Sequence, residues 1–291
     1  ALLDAMQAAG VAPNEVAFNS AITACAKGAQ WQRALGLLSR MHGAGIAPSA
    51  VSYNAAMAAC RSGGAWERAL DLLQEMREAG VAPTLLSYTA AITACDKNGE
   101  WKQALHLLSD LRKAGLVPDL VVAGAVVSAC VRAGAWGQAL ALFGELRDEN
   151  VVVPDAMLFN AAVDACAMGE LWERALELLG EMRTAGVATD VLAVNTVLLT
   201  CVRCGQHEPA LTLLAEMRAV GVALNAISFS VALSACEKGG LASRSHQLRA
   251  EMRADGIQDD LVSLTAEIQA LAADSDLDTA FERLRNIQES P

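Results

Sequence analysis

Aromatic residues and positive charge are both scarce in this chain of 291 residues. Only 4% of the residues are aromatic although 54% are hydrophobic, so most of the apolar content is alanine, leucine and valine, which favour helices or at least do not oppose them. The 22 lysines and arginines stand against 33 acidic residues and leave a net charge of −11. This charge argues against a protein that binds polyanions over its whole surface, but it leaves room for a local basic stripe.

Long apolar runs and enzyme motifs are also absent. No uninterrupted apolar stretch reaches the ~18 residues of a transmembrane helix, and no targeting segment is recognised, so we expect no membrane partner. There is no P-loop, GxGxxG or GxSxG, and the four histidines lie at four different places in the repeat described below. We therefore predict no catalytic residues, no cofactor and no enzymatic activity.

The chain does contain a strict internal repeat. Apart from Cys204, its cysteines lie at 25, 60, 95, 130, 166, 201 and 236, with spacings of 35, 35, 35, 36, 35 and 35. The five tryptophans, at 31, 66, 101, 136 and 172, show the same spacing and the same extra residue, which falls within 148–155. Two residue types that keep one register indicate a repeat architecture.

This register divides the chain into seven complete units and two partial ones, with no other domain boundary. The complete units are 15–49, 50–84, 85–119, 120–155, 156–190, 191–225 and 226–260, and the partial ones are 1–14 and 261–291. Each complete unit contains two segments with apolar residues at helical spacing. Gly45 suits a left-handed helix end, and Ser49 is a good N-cap for the next helix. The sequence therefore predicts an all-α fold, an α-solenoid of stacked helix-turn-helix repeats along one domain.

The segment CVRCGQHE, 201–208, is the one candidate for a metal site. The register places Cys201 in the common cysteine column, inside a first helix, whereas Cys204 lies in the turn that follows. Zinc needs four converging ligands, which one column of separated repeats does not supply. We predict no metal site and expect all eight cysteines to be reduced, the periodic ones packing as small hydrophobic residues.

The repeat resembles that of the pentatricopeptide repeat family, in its P-type form with 35 residues. The resemblance rests on the period, on unit junctions such as GIAPSAVSYNAAM (45–57), and on second helices such as ERALDLLQEM (67–76). Its cysteine column is similar to that of algal and protist members. The resemblance covers nearly the whole chain and implies a right-handed solenoid that binds single-stranded RNA at one base per repeat. It also implies a role in organellar RNA processing, stabilisation or translation, in a mitochondrion or chloroplast, on about 7–8 nucleotides at one base for each unit.

The resemblance implies that two columns read the bases. The first-helix column is Asn19, Asn54, Thr89, Gly124, Asn160, Asn195, Ser230 and Thr265. The last-residue column is Ser49, Thr84, Asp119, Asp155, Asp190, Asn225 and Asp260. Within the family, Asn with Asp favours uracil, Thr or Ser with Asp favours guanine, and Asn with Ser, Thr or Asn favours a pyrimidine. Gly124 has no side chain, so the base of its unit is undefined.

Two further columns are expected to hold the rest of the nucleotide. The resemblance implies base stacking by an aliphatic column, Val16, Val51, Leu86, Val121, Met157, Leu192, Ile227 and Val262. It implies phosphate contacts by a mostly basic column, Lys27, Lys97, Arg132, Arg203 and Lys238, which Ser62 and Met168 interrupt. Eight residues, about two helical turns, separate Asn19 from Lys27, so both columns lie on one helix face.

Each column also has a purely structural interpretation. The last-residue column can consist of helix N-caps, the Asn column can form an inter-repeat hydrogen-bond ladder, the aliphatic column can belong to the core, and the basic column can complement helix dipoles. The corresponding functional alternative is a scaffold that binds a peptide or protein on its concave face. The acidic net charge favours this alternative, whereas the polar and basic columns favour RNA.

Overall fold

The computed structural model describes Met6 and residues 10–148 and 152–257. These residues form fourteen α-helices and no strand, which confirms the predicted all-α class. Most of the first partial unit, the last partial unit with Val262 and Thr265, Asp260, and residues 149–151 of the insertion lie outside the described residues. With 13 or 14 residues each, none of the described helices is long enough to cross a bilayer.

Every complete repeat contributes a first and a second helix, at the positions that the cysteine and tryptophan columns predict. The first helices are α1 (Glu15–Lys27), α3 (Ala50–Ser62), α5 (Leu85–Asn98), α7 (Leu120–Arg132), α9 (Ala156–Met168), α11 (Val191–Arg203) and α13 (Ala226–Lys238). The second helices are α2 (Trp31–Gly43), α4 (Trp66–Glu78), α6 (Trp101–Lys113), α8 (Trp136–Asp148), α10 (Trp172–Thr184), α12 (His207–Ala219) and α14 (Ala242–Ala254).

Left-handed residues end the helices and turn the chain. Gly45 follows α2 with φ +73°, and the corresponding glycines after most second helices have similar angles, as the sequence predicts. The turn inside each repeat also needs a left-handed residue. Glycine usually supplies it, but Ala29 and Glu170 adopt φ +54° and +56°, where a side chain is unfavourable.

The described chain forms two compact units, Ala1–Ala161 and Ala162–Pro291. In the first unit α1 packs against α3, α3 against α5 and α5 against α7, and in the second unit α11 packs against α13. Second helices pack on the first helix of the next repeat as well, as α2 does on α3 and α12 on α13. This stacking buries a continuous apolar layer within each unit, since one helix pair has no partner for its apolar face.

The cysteine column lies in this layer. Six of its seven members, all except Cys25, are buried, which confirms their predicted role as small hydrophobic residues. Trp31 covers the next repeat at Gly63, where an added Cβ would lie only 2.4 Å from the indole ring. A glycine is therefore required at Gly63 by close packing.

The second helices are linked by a ladder of ion pairs. An arginine in one repeat bonds an acidic residue 33 positions further on, in Arg77–Asp110 (3.3 Å), Arg112–Glu145, Arg183–Glu216 (3.7 Å) and Arg218–Glu251 (2.8 Å). These side chains are partly exposed, so each pair stabilises its repeat junction by less than ~1 kcal/mol.

Candidate nucleic-acid interface

The aliphatic column is exposed, not part of the core. Its seven described members, Val16, Val51, Leu86, Val121, Met157, Leu192 and Ile227, have exposed fractions between 52% and 69%. Each lies at the second position of a first helix, next to residues that face the buried layer. Single exposed apolar residues are ordinary, but one at the same place in every described repeat forms a regular apolar row within each compact unit.

Two grooves lie between successive members at the start of this row. Val16 and Val51 form the two sides of one groove, with Asn19 and Lys27 among its lining residues and a volume of about 510 Å³. Val51 and Leu86 form the sides of the next, about 290 Å³, where Asn54 and Thr89 lie between them. In the first groove the structure thus brings members of the aliphatic, polar and basic columns together.

The first-helix polar column has a defined hydrogen-bond pattern. The amide oxygens of Asn19, Asn54 and Asn195 accept bonds from serine hydroxyls of the following repeat, at 2.6, 2.7 and 2.6 Å. Thr89 instead donates to the carbonyl of Leu85 in its own helix, at 2.7 Å. An inter-repeat ladder therefore exists, but its partners are serines and not the asparagines of neighbouring repeats.

The remaining members of this column differ in their surroundings. Asn160 and Ser230 are half-buried. Gly124 faces open space, since a Cβ added there would meet no atom within 4 Å. This position of α7 therefore has room for a side chain.

The last-residue column consists of helix caps, as one of the two interpretations predicts. The carboxylates of Asp119, Asp155 and Asp190 accept bonds from backbone N–H groups three residues later, at 2.8 to 2.9 Å. Thr84 and Asn225 accept the corresponding bonds at 3.4 and 3.1 Å. Capping accounts for the residue types, and it leaves these side chains beside the first-helix polar column.

The basic column is exposed throughout its described length. Two members form surface ion pairs, Arg132 with Asp96 at 3.5 Å and Arg203 with Glu170 at 3.1 Å. Exposed pairs of this kind are weak, so a phosphate can replace the carboxylate at little cost. The structure also shows a cation outside the predicted basic column, because Arg61 lines the second groove. Arg61 lies one position before the uncharged Ser62. Its signal was the basic residue directly beside the gap in the column.

Six thiols of the cysteine column are hard to ionise. Burial raises the pKa of Cys60, Cys130, Cys166, Cys201 and Cys236 to about 11 and that of Cys95 to about 12. Cys204 caps α11, and its sulfur donates to the carbonyl oxygen of Glu170 at 3.4 Å. Within the described ranges, no group of three or more His, Cys, Asp or Glu residues is placed to hold a metal ion.

Three family models match the chain. The pentacotripeptide-repeat region of PRORP matches residues 1–128, the PPR repeat matches 121–151 and 157–187, and the pentatricopeptide repeat domain matches 177–238. A comparison with curated proteins found no match.

Solved structures of helical-repeat proteins are similar to this one. The pentatricopeptide repeat protein PPR10 from maize is 25% identical with a TM-score of 0.59, over 93% of this chain and 44% of that protein. Its complex with an 18-nt psaJ RNA element is 23% identical with a TM-score of 0.56, over 97% of this chain and 44% of that protein. The PPR domain of Arabidopsis thaliana protein-only RNase P 1, solved with tRNA, is 16% identical with a TM-score of 0.56, over 62% of this chain and 95% of that domain.

The chain thus spans less than half the length of the maize protein. The matched segments run with one short gap from residue 1 to residue 238, and every one of them belongs to a model of the same repeat. Since the helix pairs also stack as in a solved member, the chain belongs to the pentatricopeptide repeat family.

Proposed function

We propose that this chain binds single-stranded RNA along its first helices, one base per repeat, and acts in organellar RNA metabolism without catalysing a reaction. The observation that carries the proposal is the row of exposed aliphatic side chains, together with the two grooves at its start that polar residues line. The seven complete repeats would bind about seven or eight nucleotides, one for each unit.

The apolar row supplies affinity without sequence preference. A flat base that enters a groove removes apolar surface from water on both of its sides, against Val16 and Val51 in the first groove and against Val51 and Leu86 in the second. Stacking of this type contributes ~1–3 kcal/mol per base when the partner is aromatic, and we expect aliphatic walls to give the lower part of that range.

The polar groups between the walls supply specificity. Amides and hydroxyls pair with complementary atoms on a base edge, and a groove that leaves such a group unpaired with the wrong base disfavours that base. Asn19 lies among the lining residues of the first groove, and Asn54 lies among those of the second.

The basic column supplies phosphate contacts on an otherwise acidic protein. Lys27 lines the same groove as Asn19, so a base and its phosphate can be held by one helix. The net charge of −11 opposes RNA at long range, and we therefore expect high affinity only for strands that occupy several repeats.

Two similar structures support the proposal, since PPR10 was solved with an 18-nt RNA element and the RNase P domain with tRNA. A mitochondrial or chloroplast location is proposed on family resemblance alone. The alternative, a scaffold for a peptide, shares the apolar grooves but does not need a column of cations.

Selection from a random RNA pool followed by a salt titration separates these functions. Five phosphate contacts predict a slope of about −3.5 in log K against log salt, because each contributes about −0.7 on a single strand. Lys97→Gln should make the slope shallower by about 0.7. Lys113→Gln is the matched control, since Lys113 belongs to the same repeat but lies at the end of α6, 3.5 Å from Asp110. No enrichment of RNA, or affinity that salt leaves unchanged, would support the peptide scaffold.

A further inference from the structure

We propose that three buried serines, Ser52, Ser87 and Ser228, orient the amides that read the bases in the preceding repeats. They are called the orienting serines below. Each fixes the side-chain amide of the asparagine 33 residues earlier, so that the NH2 group and not the oxygen faces the base. The inference rests on the proposed function, because it assigns a positioning role inside the same interface.

The hydrogen bonds from these serines are short and recur in both compact units. The hydroxyl of Ser52 lies 2.6 Å from the amide oxygen of Asn19, Ser87 lies 2.7 Å from that of Asn54, and Ser228 lies 2.6 Å from that of Asn195. Such lengths are typical of O–H···O bonds and shorter than is usual for N–H···O. All three serines have an exposed fraction of 0%, so water does not compete for the bonds.

A second bond sets the direction of the first. Each hydroxyl also accepts a bond from the backbone N–H of the residue three positions earlier, at Ser49 (3.2 Å), Thr84 (3.0 Å) and Asn225 (3.3 Å). A backbone N–H can only donate, so the single hydroxyl proton goes to another acceptor. The asparagine oxygens, at 2.6 to 2.7 Å, are the nearest ones. Oδ1 of Asn225 lies farther from the Ser228 hydroxyl, at 3.1 Å, and the Thr84 hydroxyl and Met76 Sδ lie 3.1 and 3.7 Å from that of Ser87. One buried hydroxyl therefore holds a residue of each base-reading column.

Each amide nitrogen has a neighbour within its own repeat. Nδ2 of Asn19 donates to the Glu15 carboxylate, one turn earlier in α1, at 3.4 Å. Asn195 donates from Nδ2 to Oδ1 of Asn225 at 3.2 Å, and Nδ2 of Asn54 lies 3.5 Å from the Thr84 hydroxyl. An NH2 group has two protons, so the second stays available for a base. A fixed donor pairs with an acceptor such as the O2 that cytosine and uracil share, and it is repelled by an exocyclic amino group.

Aspartate-capped helices lack this arrangement. Where Asp119 caps α7, the residue three positions later is Val122, whose backbone N–H bonds the carboxylate at 2.9 Å. The preceding repeat carries Thr89 in place of asparagine, and its hydroxyl bonds its own helix. The serine and the asparagine are thus both absent from this junction. At the Asp190 cap only the serine is absent, because the residue 33 positions after Asn160 is Ala193. The proposed orientation therefore applies to Asn19, Asn54 and Asn195 and not to every asparagine of the column.

Ser52→Ala and Ser87→Ala form a pair in which each variant is the control for the other. For the RNA selected from the pool, four versions are made that differ only at the base facing Asn19, and four that differ only at the base facing Asn54. Ser52→Ala should reduce the ratio of best to worst affinity about three- to tenfold at the first base and leave the second ratio unchanged. Ser87→Ala should do the reverse.

A measurement without RNA tests the orienting role of the serines independently of the proposed RNA binding. In a 15N–1H spectrum, the side-chain NH2 of Asn19 should shift and exchange faster with solvent in Ser52→Ala, while that of Asn54 should not. Thermal unfolding reports any loss of fold, and Ser228→Ala repeats the test in the second unit. Wild-type protein that binds RNA, with base ratios that Ser52→Ala leaves unaltered, would overturn only the orienting role. Wild-type protein that binds none of the RNAs would overturn the proposed function and this inference with it.

Discussion

The first and second helices of the repeat use their partly exposed side chains in opposite ways. On the second helices, arginines such as Arg77 and Arg218 find acidic partners in the next repeat. On the first helices, one aliphatic side chain per described repeat is more than half exposed, and grooves lie between Val16 and Val51 and between Val51 and Leu86. The same period thus gives one side where arginines pair with acidic residues of the next repeat and another where a column of aliphatic side chains remains exposed.

This difference shows where function lies in a protein built from one repeated unit. Repetition by itself places similar residues at similar sites on both sides, so regularity does not distinguish a binding surface from a structural one. The distinguishing property is whether a column finds its partner inside the protein. The arginine ladder does, whereas the aliphatic column does not.

The largest expected effect concerns the rate at which the buried cysteines of the core are alkylated. At pH 8 a thiol with pKa near 11 is ~0.1% ionised, whereas an ordinary thiol is about 25% ionised, so alkylation of the buried column should be more than ~100-fold slower than that of an exposed thiol. Mass spectrometry after brief alkylation should find Cys25 and Cys204, which are only half-buried, modified first. Equal labelling of all eight sites would show that the column is not packed.

The raised thiol pKa values also predict a pH dependence of stability. Unfolded cysteines lose their protons near pH 8.5, but Cys95 keeps its proton to about pH 12 in the folded chain. The folded state therefore binds more protons above pH 8.5, and the free energy of unfolding should fall as the pH rises toward 11. Denaturant unfolding at pH 8 and pH 10 measures this, and Cys95→Ala should show a shallower fall. An identical fall in both proteins would contradict a contribution from that thiol.

A substitution at Gly124, on the first helix α7, should create a new base preference. Gly124 faces open space in the same repeat as Asp155, so Gly124→Asn should create a preference for uracil at a base that the wild type does not discriminate. One well-made base contact is worth ~1–3 kcal/mol in direct readout of DNA, which sets the expected scale. Fluorescence anisotropy with four RNAs that vary at this base measures the change. Gly124→Ala, which fills the position without a polar group, should acquire no preference, and a uracil preference in both variants would count against base reading.

A substitution in the arginine ladder should change stability and leave RNA binding unchanged. Arg77 donates to Asp110 at 3.3 Å and to the Tyr88 hydroxyl at 3.0 Å, and both bonds cross to the next repeat. Arg77→Ala should lower the free energy of unfolding by ~1 kcal/mol and leave RNA affinity unchanged within twofold. A large loss of affinity in a protein of near-normal stability would break the distinction between the two sides.

The smallest expected effect concerns the turn between the two helices of a repeat. Ala29 holds φ +54°, which glycine adopts without strain. Ala29→Gly should raise the free energy of unfolding by ~0.5–1 kcal/mol without changing affinity. Ala65→Gly is the control, because the N-cap residue Ala65 has φ −95°, where glycine gives no relief. Thermal melts of both variants measure the difference, and equal shifts would show that the left-handed turn is not strained.

Much of the fold follows from the sequence because the repeat samples each position seven times. The cysteine and tryptophan columns predict where each helix pair lies, and the caps follow from residue types with one common geometry. The exposure of Val16 does not follow, since an aliphatic residue at helical spacing is equally compatible with a core face. Three-dimensional stacking decides which of two adjacent positions faces a neighbour.

The hydrogen bonds and ion pairs between repeats could not be predicted from the sequence. In the sequence, Ser52 is typical of the first turn of a helix. Its bond to Asn19 depends on how α3 packs against α1. The arginine ladder left a signal, an acidic residue 33 positions after an arginine in several repeats, but surface charges recur for many reasons. The division into two compact units has no counterpart in the sequence, where the period continues through it.

The most direct test of the central claim compares two equally exposed apolar residues of one repeat. Leu192, in the aliphatic column of α11, is 64% exposed, and Val220, at the C-cap of α12, is 62% exposed. The dissociation constant for the pool-selected RNA is measured for Leu192→Ser and Val220→Ser. We expect Leu192→Ser to weaken binding about five- to twentyfold, equivalent to ~1–2 kcal/mol of lost stacking, and Val220→Ser to stay within twofold of wild type. Equal losses in the two variants, or no loss in Leu192→Ser, would contradict the claim that the first-helix row is the RNA-binding surface.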